Sequence, residues 1–146
     1  MKYLLSLLLT CSLYSAGFWT LSGLDKANIY VQNKVAYIKA ATLDTIKTKM
    51  KQTLEKKSIK VYVQDAPTLM VSLEEIEGDE THYIYLKLEL GEEVKTFRKD
   101  STETFAITFQ VSDFIETDAD ELDAAILESV DYLLAKFVEQ LQEDKE

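Results

Sequence analysis

The sequence predicts an α+β domain: a two-layer, largely antiparallel five-stranded sheet with two helices on one face, in the order β-α-β-β-β-β-α. Three observations carry this. Several segments alternate apolar and polar residues, the pattern of strands with one wet face. Two longer segments space their apolar residues by three and four, as amphipathic helices do. The 146 residues include only 4 Gly and 1 Pro and are 47% hydrophobic, which fits a globular domain and not a disordered chain.

The elements follow in order. Ile29-Tyr30-Val31-Gln32 alternates and predicts the first strand. From Ile38 to Leu54 the apolar residues Leu43, Ile46, Met50 and Leu54 take helical spacing. Lysines occupy other positions around this helix, and Lys56 and Lys57 stand at its C-terminal end, where cations suit the dipole. Ile59, Val61 and Val63 predict a second strand, which Asp65-Ala66-Pro67 breaks. Leu69, Val71 and Leu73 predict a third, running to a turn at Glu77-Gly78-Asp79. Ile84, Leu86, Leu88 and Leu90 give the cleanest alternation, and Gly91 marks a bulge or bend as that strand continues toward Phe97. Lys99-Asp100-Ser101 reads as a hairpin turn, followed by a fifth strand with Phe105, Ile107, Phe109 and Val111 on one side. The second helix carries Leu122, Ile126, Val130, Leu133, Phe137 and Leu141 on one stripe. Thr117 or Asp118 is its expected cap, with Glu121 completing a capping box. Residues 142–146 are polar and are expected to fray.

The N-terminal segment reads as an address. Lys2 precedes a short apolar run, Tyr3 to Leu9, and small residues follow at Ser15-Ala16-Gly17. This is the pattern of a secretory signal peptide, 1–17, with cleavage between Gly17 and Phe18. The run is shorter than the ~20 residues of a spanning helix, and no later segment is apolar enough to be a transmembrane segment. Residues 18–146 are then a single periplasmic α+β domain. Leu8-Leu9-Thr10-Cys11 partly matches a lipobox, so lipid anchoring through Cys11 is an alternative. Phe18-Trp19 would begin the mature chain, and docking on the core is the expected fate of such large aromatics.

If the apolar strand residues face the helices, Tyr30, Lys60, Tyr62, Tyr83, Tyr85, Lys87, Thr104, Thr108 and Gln110 face solvent. Tyrosine offers contact area with few rotatable bonds and a hydroxyl handle. Tyr30, Tyr62, Tyr83, Tyr85 and Lys87 are therefore the expected partner surface; the competing reading is that Tyr and Thr simply form strands well.

Charge is uneven. Residues 26–60 hold nine Lys against Asp44 and Glu55, and no basic residue stands between Lys99 and Lys136. The Lys-rich first helix could steer an anionic partner or meet an acidic region head to tail; the plainer reading is a solvated face. The net charge of −10 argues against nucleic acid as partner.

Little points to catalysis. One Cys and one His exclude a disulfide framework and a Cys/His zinc site within the chain. No Gly-rich phosphate loop is present, and no cofactor is expected. The acids Glu116, Asp118, Asp120, Glu121 and Asp123 lack the glycine and ligand spacing of a calcium loop; a helix dipole explains acids in a first turn without metal. His82, beside Glu80 and Tyr83, is the one candidate general base. A ligand-binding protein or hydrolase using His82 and nearby acids is the rival reading. It requires a concave pocket at His82.

Leu21-Ser22-Gly23-Leu24 leads into the first strand and Ala66-Pro67-Thr68-Leu69 opens the third. Together with Tyr83 to Leu90 and a C-terminal helix holding Phe137, these stretches resemble a widespread group of small exported bacterial α+β proteins of unknown function. The layout is also similar to envelope assembly lipoproteins. The resemblance implies a secreted domain with no catalytic residues and no cofactor. The overall expectation is a periplasmic binding or envelope-assembly module, not an enzyme, whose partner is a protein or envelope component. Its oligomeric state is not fixed by the sequence.

Overall fold

A computed structural model describes residues 20–76 and 82–145. The leader, the Gly17/Phe18 junction, Cys11, Phe18-Trp19, the turn at residues 77–79 and Glu80 lie outside the described residues. The elements are β1 (Lys26–Asn33), α1 (Ala40–Lys56), β2 (Lys60–Val61), β3 (Thr68–Ile76), β4 (His82–Lys95), β5 (Glu103–Thr117) and α2 (Leu122–Glu143). Their order is the one the sequence predicts.

The sheet order is β2-β1-β3-β4-β5. β1 pairs in parallel with both β2 and β3, because the chain crosses over as α1 before it returns to the sheet. β3, β4 and β5 form an antiparallel meander that holds most of the paired residues, so the mixed sheet is mostly antiparallel. α1 packs on β1, and α2 packs on β4 and β5. Between helices and sheet lies one core: Leu69, Val71 and Leu73 of β3 and Ile84, Leu86, Leu88 and Leu90 of β4 are all fully buried. They meet Ile46, Met50 and Leu54 of α1 and the apolar stripe of α2. Phe137 is fully buried and stands edge-on to Phe109, with ring centroids 5.6 Å apart.

Four details differ from the sequence expectation. First, β2 is only two residues long. Ser58 and Tyr62 adopt left-handed backbone (φ 61° and 57°), which cuts the extended run at both sides.

Second, the two sides of β5 exchange at a bulge. Leu90 pairs with Phe109, but Gly91 pairs with Ile107, leaving Thr108 as the extra residue. One extra residue moves every side chain beyond it to the other face. Phe109 therefore stays buried, whereas Phe105 and Ile107, expected in the core, are exposed. Phe105 lies over Gly91, where a Cβ would sit 2.2 Å from its Cζ. The bare backbone of Gly91 makes room for that ring.

Third, the expected capping box is absent from α2. A turn closed by Glu121 N–H to the Asp118 carbonyl (3.2 Å) precedes the helix, and the N-cap Glu121 makes no side-chain cap bond. Fourth, the helix runs past Gln142, where fraying was expected. Asp144 is buried and its Oδ2 accepts the Leu21 N–H at 2.8 Å, tying the two ends of the described chain together. Among the described residues, no helix is long and apolar enough to cross a membrane.

Candidate functional site

The face of the sheet opposite the helices carries the candidate site. Strand alternation sends Tyr83, Tyr85, Lys87 and Glu89 of β4 to this face, away from Ile84, Leu86 and Leu88. Register then decides their neighbours. Tyr85 stands between Glu74 of β3 and Phe114 of β5, and Lys87 between Ser72 and Ser112. The Tyr83 ring stacks on Phe114, with centroids 5.8 Å apart and planes 18° apart. Its hydroxyl donates to Glu116 Oε1 at 3.3 Å. The Lys87 Nζ lies 6.0 Å from the centre of the Tyr85 ring.

Glu89 is the unusual member. It is only 7% exposed although it stands on the outer face, and its nearest cation is Lys87, 3.9 Å away. The cross-strand row Tyr30, Met70, Glu89, Gln110 shows what flanks it. A buried carboxylate costs free energy unless it is paired. The Lys87 ammonium is therefore held close to it and not spread into solvent. Beyond the bulge the same face gains Phe105 and Ile107.

Of the expected partner residues, Tyr83, Tyr85 and Lys87 come together. Tyr30 shares the face but stands two strands away on β1, half exposed. Tyr62 does not join them. It follows β2 at the far edge of the sheet, on left-handed backbone, and is 67% exposed. Lys60 lies at that same edge. Thr108 is the bulge residue, and its hydroxyl donates to Glu92 Oε1 at 2.5 Å. Phe114 was not named from the sequence, and Phe105 and Ile107 were expected on the core side. Extending the fifth strand by parity finds Phe114. Gly91 was the signal for the other two, through the bulge opposite it.

His82 opens β4 and has two partners from distant segments. Its Nδ1 lies 2.8 Å from the Tyr37 hydroxyl and 3.3 Å from Glu75 Oε1. The Tyr37 hydroxyl also donates to Glu75. Burial, and then the Glu75 hydrogen bond and charge, push the Tyr37 phenol up to about 12. Five cavities among the described residues have linings that do not include His82.

The acids and lysines of the helices find structural work. Lys39 meets Asp123 at 2.6 Å, and the Thr42 hydroxyl donates to the same carboxylate at 2.6 Å. These bonds hold the Asp123 carboxyl below the usual range, Lys39 being the larger cause. Lys49 meets Asp131 at 2.7 Å. Lys49 of the first helix and Lys39 at its N-cap are thus spent on docking against α2. Among the described residues, no group of three or more His, Cys, Asp or Glu is arranged to hold a metal ion. Comparison with known protein families and with characterised proteins found no match to the chain.

Proposed function

We propose that this protein is an exported periplasmic module for binding or envelope assembly, acting without catalysis. It engages a partner protein through the sheet face centred on Tyr83 and Tyr85. One observation carries the reading. No described element covers the outer face, yet it holds the stacked Tyr83–Phe114 pair and, further along β4, the nearly buried Glu89 with its lysine. Aromatic rings, partly buried at Tyr83 and Tyr85 and half exposed at Phe114, on a face that also carries a mostly buried carboxylate with its lysine suit an interface centre. The face is broad and open across several strands, which suits a protein surface better than a small molecule. The signal-peptide pattern of residues 1–17 supports export.

The test is in-cell photo-crosslinking from position 85, with position 62 at the far edge as control. One dominant envelope partner captured from 85 and not from 62 is the expected result. Replacement of Tyr83 and Tyr85 by Ser should abolish that adduct while the fold persists. Absence of any adduct from 85, in protein confirmed to be exported and folded, would sink the reading. Unfolding of the serine variant without a separable binding defect would count against it too, since the tyrosines would then be structural.

A further inference from the structure

β5 is the longest strand, 15 residues, and forms one edge of the sheet. Its half from Val111 to Thr117 runs against His82–Leu88 with no register shift. The row of backbone groups along that free edge is therefore regular. Phe114 marks its direction: its N–H donates at 2.9 Å to Oδ1 of the preceding Asp113. Antiparallel ladders alternate, so the N–H and C=O groups of Ser112 and Glu116 face the same way. The opposite edge is blunted, because β2 is two residues long between left-handed Ser58 and Tyr62. From Val111 to Thr117 β5 has no Pro, no Lys and no left-handed residue.

A groove of about 490 Å³ lies between this edge and α2. Ile115, Ala125 and the half-exposed Tyr132 give it apolar surface. Asp113 and Glu128 give it negative charge, while the Glu116 carboxylate turns to Tyr83 on the other face, and no basic residue lines it. Asp113 is fixed from the helix side, where the Ser129 hydroxyl donates to its Oδ2 at 2.7 Å. A free strand edge beside a helix is the geometry of strand addition: main-chain bonds supply affinity and alternate side chains reach the groove.

We infer that the β5 edge at residues 111–117 accepts an extended, basic segment of a partner protein as an added strand. The sign of the groove selects the occupant. A second copy of this chain would bring its own acidic β5 against the same carboxylates, and its β2 is too short to pair along the edge. The inference does not depend on the tyrosine face.

The test uses the 15N-labelled chain and a short peptide of alternating lysine and valine. Amide exchange at Ser112 and Glu116 should slow, and shifts should centre on β5 and the facing side of α2. The same peptide with alternate amides N-methylated keeps its charge but loses strand donors, and should bind about tenfold more weakly. Ser112→Pro removes an outward N–H without touching the β4 ladder, and should weaken binding by about the same factor. If that variant misfolds, the N-methylated comparison still decides. Equal binding of the N-methylated peptide would reduce the effect to charge attraction and overturn the inference. So would equal binding of a glutamate–valine peptide, or shifts centred on the tyrosine face. Self-association that Ser112→Pro abolishes would assign the edge to a second copy, and overturn it as well.

Discussion

Removing the Asp144 carboxylate should cost far more than a change near a chain terminus usually does. Asp144 is 8% exposed, and its Oδ2 accepts the N–H of Leu21, which is 1% exposed. Oδ1 accepts Gln140 Nε2 at 2.5 Å. In Asp144→Ala the Leu21 amide stays buried and loses its acceptor. A hydrogen bond to a charged group contributes about 1.5–3 kcal/mol, and an orphaned buried donor costs a similar amount. We expect a loss of about 2 kcal/mol, against a total of roughly 5–15 kcal/mol for a domain of this kind. With a urea slope of about 1.5 kcal/mol/M, the midpoint falls by roughly 1.3 M. Asp144→Asn keeps an acceptor oxygen and should lose about half as much or less. The assay is urea unfolding of the three proteins followed by far-UV circular dichroism. An alanine variant within about 0.3 M of the parent would refute the reasoning. Equal losses for Asn and Ala would show that charge, not the acceptor, holds Leu21.

Phe137→Ala should cost about 3–5 kcal/mol, because the ring is fully buried against Phe109 and its removal leaves a cavity; a loss below about 1.5 kcal/mol in the same urea assay would mean that the core collapses around the gap. Asp123 is held below the usual carboxylate range, so its contribution is present above about pH 4 and is lost as pH falls through its folded value. The stability gap between the parent and Asp123→Asn should be about 1 kcal/mol at pH 6 and shrink below pH 4, whereas a pH-independent gap would contradict the linkage. Tyr37 is pushed up to about 12, so the folded state favours its neutral phenol. Its contribution is present below the ordinary value of about 10 and is lost as pH rises toward 12. Ultraviolet titration should find Tyr37 ionising late, and Glu75→Gln should bring it earlier; an unchanged curve would remove Glu75 from the account.

Much of the frame was legible because it rests on periodicity alone. Ile84 to Leu90 alternate without interruption, and all four of these leucines and isoleucines lie in the core. Leu122, Ile126, Val130, Leu133, Phe137 and Leu141 follow one helical stripe, and all are buried. Parity also brought Tyr83, Tyr85 and Lys87 to one face. Parity failed where local geometry interrupts it. It cannot count the extra residue at Thr108, so Phe105 and Ile107 went to the wrong side. It could not see the left-handed backbone that detaches Tyr62 from its strand.

By itself, then, the sequence determined the element types, their order, the core stripe and the side of the sheet that stays wet, since each follows from local spacing and burial. Only the tertiary structure decided which segments meet. It set β1 in parallel between β2 and β3, brought Tyr37 and Glu75 to His82, tied Lys39 to Asp123, and bound Asp144 to Leu21 across nearly the whole described chain. It also left β5 as a free edge beside an acidic groove. The physical reason is the same throughout. Propensity and periodicity act within a few residues of chain, whereas strand order, register and charge pairing depend on contacts that no local pattern encodes.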